Sequence, residues 1–180
     1  MLDALATPCR STLTRSGSAA AAEFEPDDDV GRDEEAEMVP EINYWAVLLA
    51  TLSSMLVGSI WYARAIFGTR WAKLANVDMD RPGASAVGPI IITVIVSFIT
   101  AWVLAGASTI AWHFYGGSYL LGALLTAVIL WAGFTAARFI THDAFEGRPW
   151  ALTGMNIAHE LVTVVIMGLI IGVWPPAGTV

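Results

Sequence analysis

Apolar residues run through this chain in four blocks, broken by short stretches rich in charge, glycine and proline. The blocks are Asn43–Tyr62, about Val87–Ser108, Tyr119–Thr141 and Trp150–Trp174. Each has the roughly 20 residues that a helix needs to cross a bilayer. One such block is compatible with a buried helix of a soluble protein, but four in succession are not. The pattern predicts an all-α, integral membrane four-helix bundle over residues 42–174, followed by a short tail at 175–180.

The stretches between blocks have patterns of their own. Phe67, Trp71 and Leu74 follow helical spacing, with Arg70 and Lys73 off that face. That predicts a short helix lying at a membrane interface among anionic lipids. Pro82-Gly83 ends it, and Ser85 is placed to cap the second span. Gly147 loosens the last connection, and Pro149 opens the fourth span where proline costs least.

Composition agrees with the blocks. The chain is 56% hydrophobic and 14% charged, with a mean hydropathy of +0.63. A soluble domain carries about 25% charged residues. The net charge of −7 belongs to one end: residues 1–41 hold eleven acids against Arg10, Arg15 and Arg32. Those 41 residues have no apolar periodicity and are expected to be a disordered acidic tail. They have no apolar core of a secretory signal. Their first two dozen loosely resemble an organelle transit peptide. A simpler expectation is a mis-assigned start: codons for Glu34-Glu35-Ala36-Glu37 can spell a purine-rich ribosome-binding sequence just before Met38. The single cysteine, Cys9, excludes an intrachain disulfide.

Loop charge predicts orientation. Arg64, Arg70, Lys73 and Arg81 lie between spans one and two, and Arg138 and Arg148 lie around the connection of spans three and four. The stretch between spans two and three and the C-terminal tail carry no Lys or Arg. Cationic loops stay in the cytoplasm, so both termini are expected outside a cell membrane. Trp71 and Trp150 would join Arg64, Arg70, Lys73 and Arg148 at the inner interface.

Helices in lipid associate by close approach and hydrogen bonds rather than by expulsion of water. Each span offers a stripe for this: Ala50, Ser54 and Gly58; Thr93, Ser97 and Thr100; Gly122, Thr126, Gly133 and Ala137; Gly168 and Gly172. One stripe per helix predicts a compact bundle. A surplus stripe would serve a homo-oligomer or another membrane protein. The bilayer is the expected surrounding, with no nucleic acid.

The fourth span holds the only ionisable pair well inside a block, His159 and Glu160. Thr153, Asn156, Glu160 and Thr163 share one helical face. Counted from Trp150, Glu160 lies roughly 15 Å along the helix, near mid-membrane. An ionised carboxylate there costs at least about 3 kcal/mol unless it is paired or protonated. Arg138 is the one cation inside a span that could pair with it, and His142 is a further partner. The candidate polar site is therefore Glu160, Asn156, His159, Arg138, Thr153 and Thr163. It is either a proton- or cation-handling site or a hydrogen-bond cluster that fixes helix register. His142, Asp143 and Glu146 carry metal-ligand chemistry but lack a second cluster, so they read as a solvated turn. The histidines are unmatched in depth for haem. No phosphate loop occurs, and neither metal nor cofactor is expected. The Ala-Arg, Phe, Gly, Arg, Trp order after spans one and three is a weak internal echo.

Ile42-Asn43, Gly58, Trp61-Tyr62, Phe67-Gly68, Trp71, Phe145 through Arg148 and Met167-Gly168 together resemble domain-of-unknown-function family 1761, small bacterial four-span membrane proteins. The resemblance covers about residues 42–174. The family pattern looks like Gly-Tyr-Gln where this chain has Ala158-His159-Glu160, which implies that the carboxylate replaces a polar amide. The resemblance implies the fold and no activity. The leading expectation for function is a non-enzymatic scaffold or accessory membrane subunit. A small proton-linked transporter or permeability protein using Glu160 is the first alternative. An oxidoreductase subunit holding quinone or haem against Trp131 and His159 is the second.

Overall fold

The computed structural model describes residues 40–80 and 87–179. The expectations for the tail through residue 39, and for Pro82-Gly83 and Ser85, lie outside the described residues. Among those described, all regular structure is helical. The order is α1 (Tyr44–Trp61), a π-helical turn (Arg64–Gly68), α2 (Thr69–Ala75), α3 (Val87–Tyr115), α4 (Tyr119–Leu130), a π-helical segment (Trp131–Ala136), α5 (Ala137–Glu146) and α6 (Trp150–Val173). From α4 through α5 the helix runs on as one third span, Tyr119–Glu146, and with α1, α3 and α6 makes four helices long and apolar enough to cross a membrane. The fold is an all-α four-helix membrane bundle.

Two spans are longer than their apolar blocks. α3 continues seven residues past Ser108, because Trp112, His113 and Tyr115 are compatible with a helix. The break comes at Gly116 and Gly117, whose φ angles of 67° and 82° suit glycine. The third span likewise runs through His142, Asp143 and Glu146 to Gly147, at φ 67°. The predicted polar turn there is the last turn of a helix.

α1 packs against α3 and α6, the third span packs against the same two, and α1 does not meet the third span. One end of this ring is tied by Asn43. Its side chain accepts from the Trp45 and Ala46 amides and donates to the Trp174 carbonyl at 3.2 Å. The start of α1 and the end of α6 therefore share a level. The core lies in this half: Ala46, Val47 and Ala50 of α1, Ala101, Leu104 and Ala105 of α3, Tyr119 and Ala127 of α4, and Val164, Met167 and Ile171 of α6. Small side chains let the backbones approach. A Cβ on Gly168 would lie 3.1 Å from the Ala127 Cβ, and one on Gly172 would lie 2.7 Å from Leu120 Cδ1. The Thr109 hydroxyl reaches the Glu41 carbonyl (2.9 Å) and the Tyr119 hydroxyl (3.0 Å).

The stripes of spans one and four are packing faces, and the other two are not. Thr93 and Thr100 are exposed and donate to the carbonyls of Pro89 and Val96 in their own helix. The third span buries Tyr119, Ala123 and Ala127, one position round from Gly122 and Thr126, while Gly133 and Ala137 are exposed. Nor is the bundle compact throughout. Every residue of Val87–Thr100 is exposed except the half-buried Ser97. α3 touches neither α2, the Trp131–Ala136 segment nor α5. The α2 end of the bundle is thus open on the side that α3 would close.

Candidate functional site

The polar residues of α6 meet the end of α1 through a sharp reversal of the chain. After Trp61 the backbone turns through Arg64–Gly68, and the Gly68 amide donates to the Ala63 carbonyl, a five-residue step. Gly68 is required by space: a Cβ there would lie 2.1 Å from the Tyr62 carbonyl oxygen. The turn sends α2 against α6, where the Trp71 indole N–H donates to Asn156 Oδ1 at 3.2 Å. Outside, the Arg64 guanidinium pairs with Asp80 and reaches the Met79 carbonyl. The Asp80 carboxylate holds that guanidinium above its ordinary pKa range.

Two rings flank His159, and each is backed by another. Its own ring lies 4.9 Å from Tyr62 and 5.8 Å from Trp61, centroid to centroid. Tyr62 stacks edgewise on Trp71 at 5.2 Å, and Trp61 leans on Phe67 at 4.7 Å. Gly58 faces the ring: a Cβ there would sit 3.7 Å from His159 Nε2. The His159 side chain is 12% exposed and its Nδ1 stands 3.3 Å from Glu160 Oε1. Nε2 and the Trp61 indole nitrogen are buried and have no hydrogen-bond partner. Both are polar groups whose burial unpaired costs about 1–3 kcal/mol.

The site predicted from sequence is assembled in part. Asn156, His159 and Glu160 belong to one cluster. Thr163 caps the His159 carbonyl at 2.9 Å. Thr153 shares their helix but serves another partner, donating at 2.6 Å to the Asp143 carboxylate. Arg138 does not join the cluster. It is exposed and makes no ion pair among the described residues, because the π-helical segment rotates the helix face that follows it. His142 is exposed too. Of the residues expected at an interface, Arg64, Arg70, Lys73, Arg148 and Trp150 are exposed, while Trp71 turns inward to Asn156.

Fifteen residues separate Asn43 from Gly58, and fifteen separate His159 from Trp174. The cluster therefore lies about 22 Å from the tied end, one turn short of where α1 stops. α6 and the third span simply run farther than α1.

Asp143, expected in a solvated turn, is instead a buried partner. Its side chain is buried, accepts from Thr153 and has Arg148 Nε at 3.8 Å, while Arg148 bonds Glu146 at 2.6 Å. The signal was the tight connection: residues equally far from Arg148 on two antiparallel helices come level, and 143 and 153 are such a pair. Trp131 donates to the Ile157 carbonyl at 2.9 Å from the third-span side, whereas His159 faces α1. The two do not flank a common space, so the residues do not fit a quinone or haem held between them. Among the described residues no group of three His, Cys, Asp or Glu side chains could hold a metal ion.

Six of the positions that carried the family resemblance gather here: Gly58, Trp61, Tyr62, Phe67, Gly68 and Trp71. His159 and Glu160, two of the three positions where the resemblance implies a departure, are bonded to each other. A family model described as a protein of unknown function (DUF1761) matches residues 45–172. No curated protein and no solved structure matches.

Proposed function

Since the chain belongs to the protein family of unknown function DUF1761, whose name supplies no activity, we propose a role from its own residues. It is a small proton-linked transporter or permeability protein, in which His159 and Glu160 take up and release a proton. One observation carries this reading: among the described residues, Glu160 bonds its neighbour on the same helix and no other helix. A carboxylate kept to fix helix register should bond across a helix boundary. Asn156, Thr153 and Trp131 already do that. Glu160 is left with a titratable partner instead.

The charge balance fits. An imidazolium beside a carboxylate carries no net charge, so one shared proton is the least costly state in a low dielectric. Removing it leaves a net negative charge that needs compensation from a solute. That requirement is what couples a proton to a second species.

We place α2 and the Gly147–Pro149 connection on the cytoplasmic side of a cell membrane. Arg64, Arg70, Lys73 and Arg148 are exposed at that end, and Gly116–Ser118 carries no cation. The test is flux in liposomes under an imposed pH gradient. Wild type is expected to collapse the gradient faster than empty liposomes, and Glu160→Gln to match empty liposomes while keeping its melting temperature. Equal flux in wild type and Glu160→Gln would remove the reading.

A second reading, an accessory membrane subunit, is favoured by the unpacked stretch Val87–Thr100. A membrane partner that co-purifies and cross-links at Ser97 would support it in place of the first.

A further inference from the structure

α2 and the segment that follows it enclose a groove outside the four spans. α2 lines it with Thr69 and Lys73. The chain then reverses at Asn76, which takes a left-handed conformation with φ 54°, and the Val77 amide donates back to the Ala72 carbonyl at 2.9 Å. The segment beyond returns to the head of α2. There the Arg64 guanidinium holds the Asp80 carboxylate and reaches the Met79 carbonyl at 3.4 Å. The Thr69 hydroxyl donates to the Arg64 carbonyl at 3.0 Å, which ties that clasp to the helix. The space enclosed is about 450 Å³. Sites for small ligands run from about 300 to 1,000 Å³.

Two cations and two carboxylates line this groove: Arg64 and Lys73, Asp78 and Asp80. Arg64 and Asp80 satisfy each other. Among the described residues Lys73 and Asp78 form no ion pair, with each other or with any other group. The Asp78 carboxylate accepts the Asp80 amide at 2.9 Å, which fixes it on the returning segment, while Lys73 stays on the helix. An anion alone would satisfy Lys73 and leave Asp78; a cation alone would do the reverse. A ligand with both charges on one short frame satisfies both. No aromatic ring lines the groove, so it lacks the surface that recognises a quaternary ammonium. A primary ammonium needs no such surface, because it donates hydrogen bonds to a carboxylate directly.

We propose that the groove binds the headgroup of an ethanolamine phospholipid, with the phosphate on Lys73 and the primary ammonium on Asp78. Its place in the fold suits a lipid. Trp71 of α2 bonds Asn156, eighteen residues before Trp174, or about 27 Å along α6. A hydrocarbon layer is about 30 Å thick. With one boundary at the tied end, α2 comes to the other, where headgroups lie. Ile66 and Phe67, on the turn that carries Arg64, are exposed apolar side chains available to the acyl chains. The balanced charge of the groove also sets it apart from a basic patch, which would favour anionic lipids. The inference is independent of the proton-linked reading and stands without it.

The test is native mass spectrometry of the full chain, released from micelles holding equal amounts of phosphatidylethanolamine, phosphatidylcholine and phosphatidylglycerol with identical acyl chains. One phosphatidylethanolamine per chain is expected to be retained, favoured about fivefold over each of the others. Asp78→Asn should erase the preference over phosphatidylcholine, and Lys73→Gln should lose retention of all three. Arg70→Gln should change nothing, since Arg70 is an exposed cation of the same helix that does not line the groove. All three side chains are exposed, so each variant should keep its melting temperature. Equal retention of the three lipids by wild type would overturn the proposal. So would a preference that survives Asp78→Asn, or a loss in Arg70→Gln equal to that in Lys73→Gln. O-phosphoethanolamine carries the same charges without acyl chains and should fail to displace the lipid at equal concentration. Displacement at equal concentration would show a site for a soluble zwitterion and overturn the lipid assignment.

Discussion

His159 Nδ1 lies 3.3 Å from Glu160 Oε1, so the acid inside the fourth span is partnered by the residue next to it in sequence. Cross-helix bonds at the same level are made by Asn156 with Trp71, and lower on the helix by Thr153 with Asp143. The bonds that join helices and the proposed proton pair thus rest on different side chains, and substitutions should separate them.

Glu160→Gln should hold its melting temperature, because the amide keeps a hydrogen-bond acceptor and sheds the charge. His159→Leu should be worse, since it strands Glu160 without a partner at about 1–3 kcal/mol. The double variant His159→Leu with Glu160→Leu should recover part of that loss. Thermal unfolding of wild type, His159→Leu, Glu160→Leu and the double variant in one detergent measures the coupling. Additive losses would mean that the two side chains do not interact.

Packing predictions divide the glycines by what surrounds them. Gly168→Leu and Gly172→Leu should each cost about 3 kcal/mol or more, because Ala123, Ala127 and Leu120 leave no room. Gly133→Leu should be silent, since nothing lies within 4 Å of its would-be Cβ. Similar melting temperatures for all three would contradict the packing described.

The turn that folds α2 onto α6 should be just as selective. Gly68→Ala drives a methyl into the Tyr62 carbonyl and should cost about 3 kcal/mol. Trp71→Phe removes only the hydrogen bond to Asn156, worth about 1 kcal/mol. Protection of Trp71 from quenching by iodide would be lost in the first variant, and indole emission tests this directly. Unchanged protection in Gly68→Ala would show that the turn tolerates a side chain.

Orientation is checked by single cysteines in a Cys9→Ser background. Thr69→Cys and Ala144→Cys should react only with reagent on the cytoplasmic side, and Gly117→Cys only from outside. The reverse labelling would invert the topology proposed for the loops.

Much of this fold was legible because hydrophobic length is a direct physical signal. Four blocks, their order and the short helix at Phe67–Leu74 follow from it. Helix ends were less legible. Trp112 and His142 are interfacial in character but do not interrupt a helix, and only the glycines beyond them do. Stripes of glycine and hydroxyl residues identified α1 and α6 and misled for the others. Alanine at 123 and 127 allows the same close approach, while Thr93 and Thr100 satisfy themselves within α3. In the site, His159 and Glu160 stood out as ionisable residues inside an apolar block. Their cage of Trp61, Tyr62 and Trp71 did not, because it depends on a π-helical turn that periodicity does not reveal.

The central claim is that His159 and Glu160 hold and exchange one proton as a unit. Its most direct test is solid-state NMR of the protein in bilayers, with the Glu160 carboxyl carbon and the His159 ring nitrogens labelled and followed across pH. A single step that moves both signals together, lost at His159 when Glu160 is replaced by Gln, is the predicted result. Two independent transitions, with the His159 signal unchanged by Glu160→Gln, would contradict it.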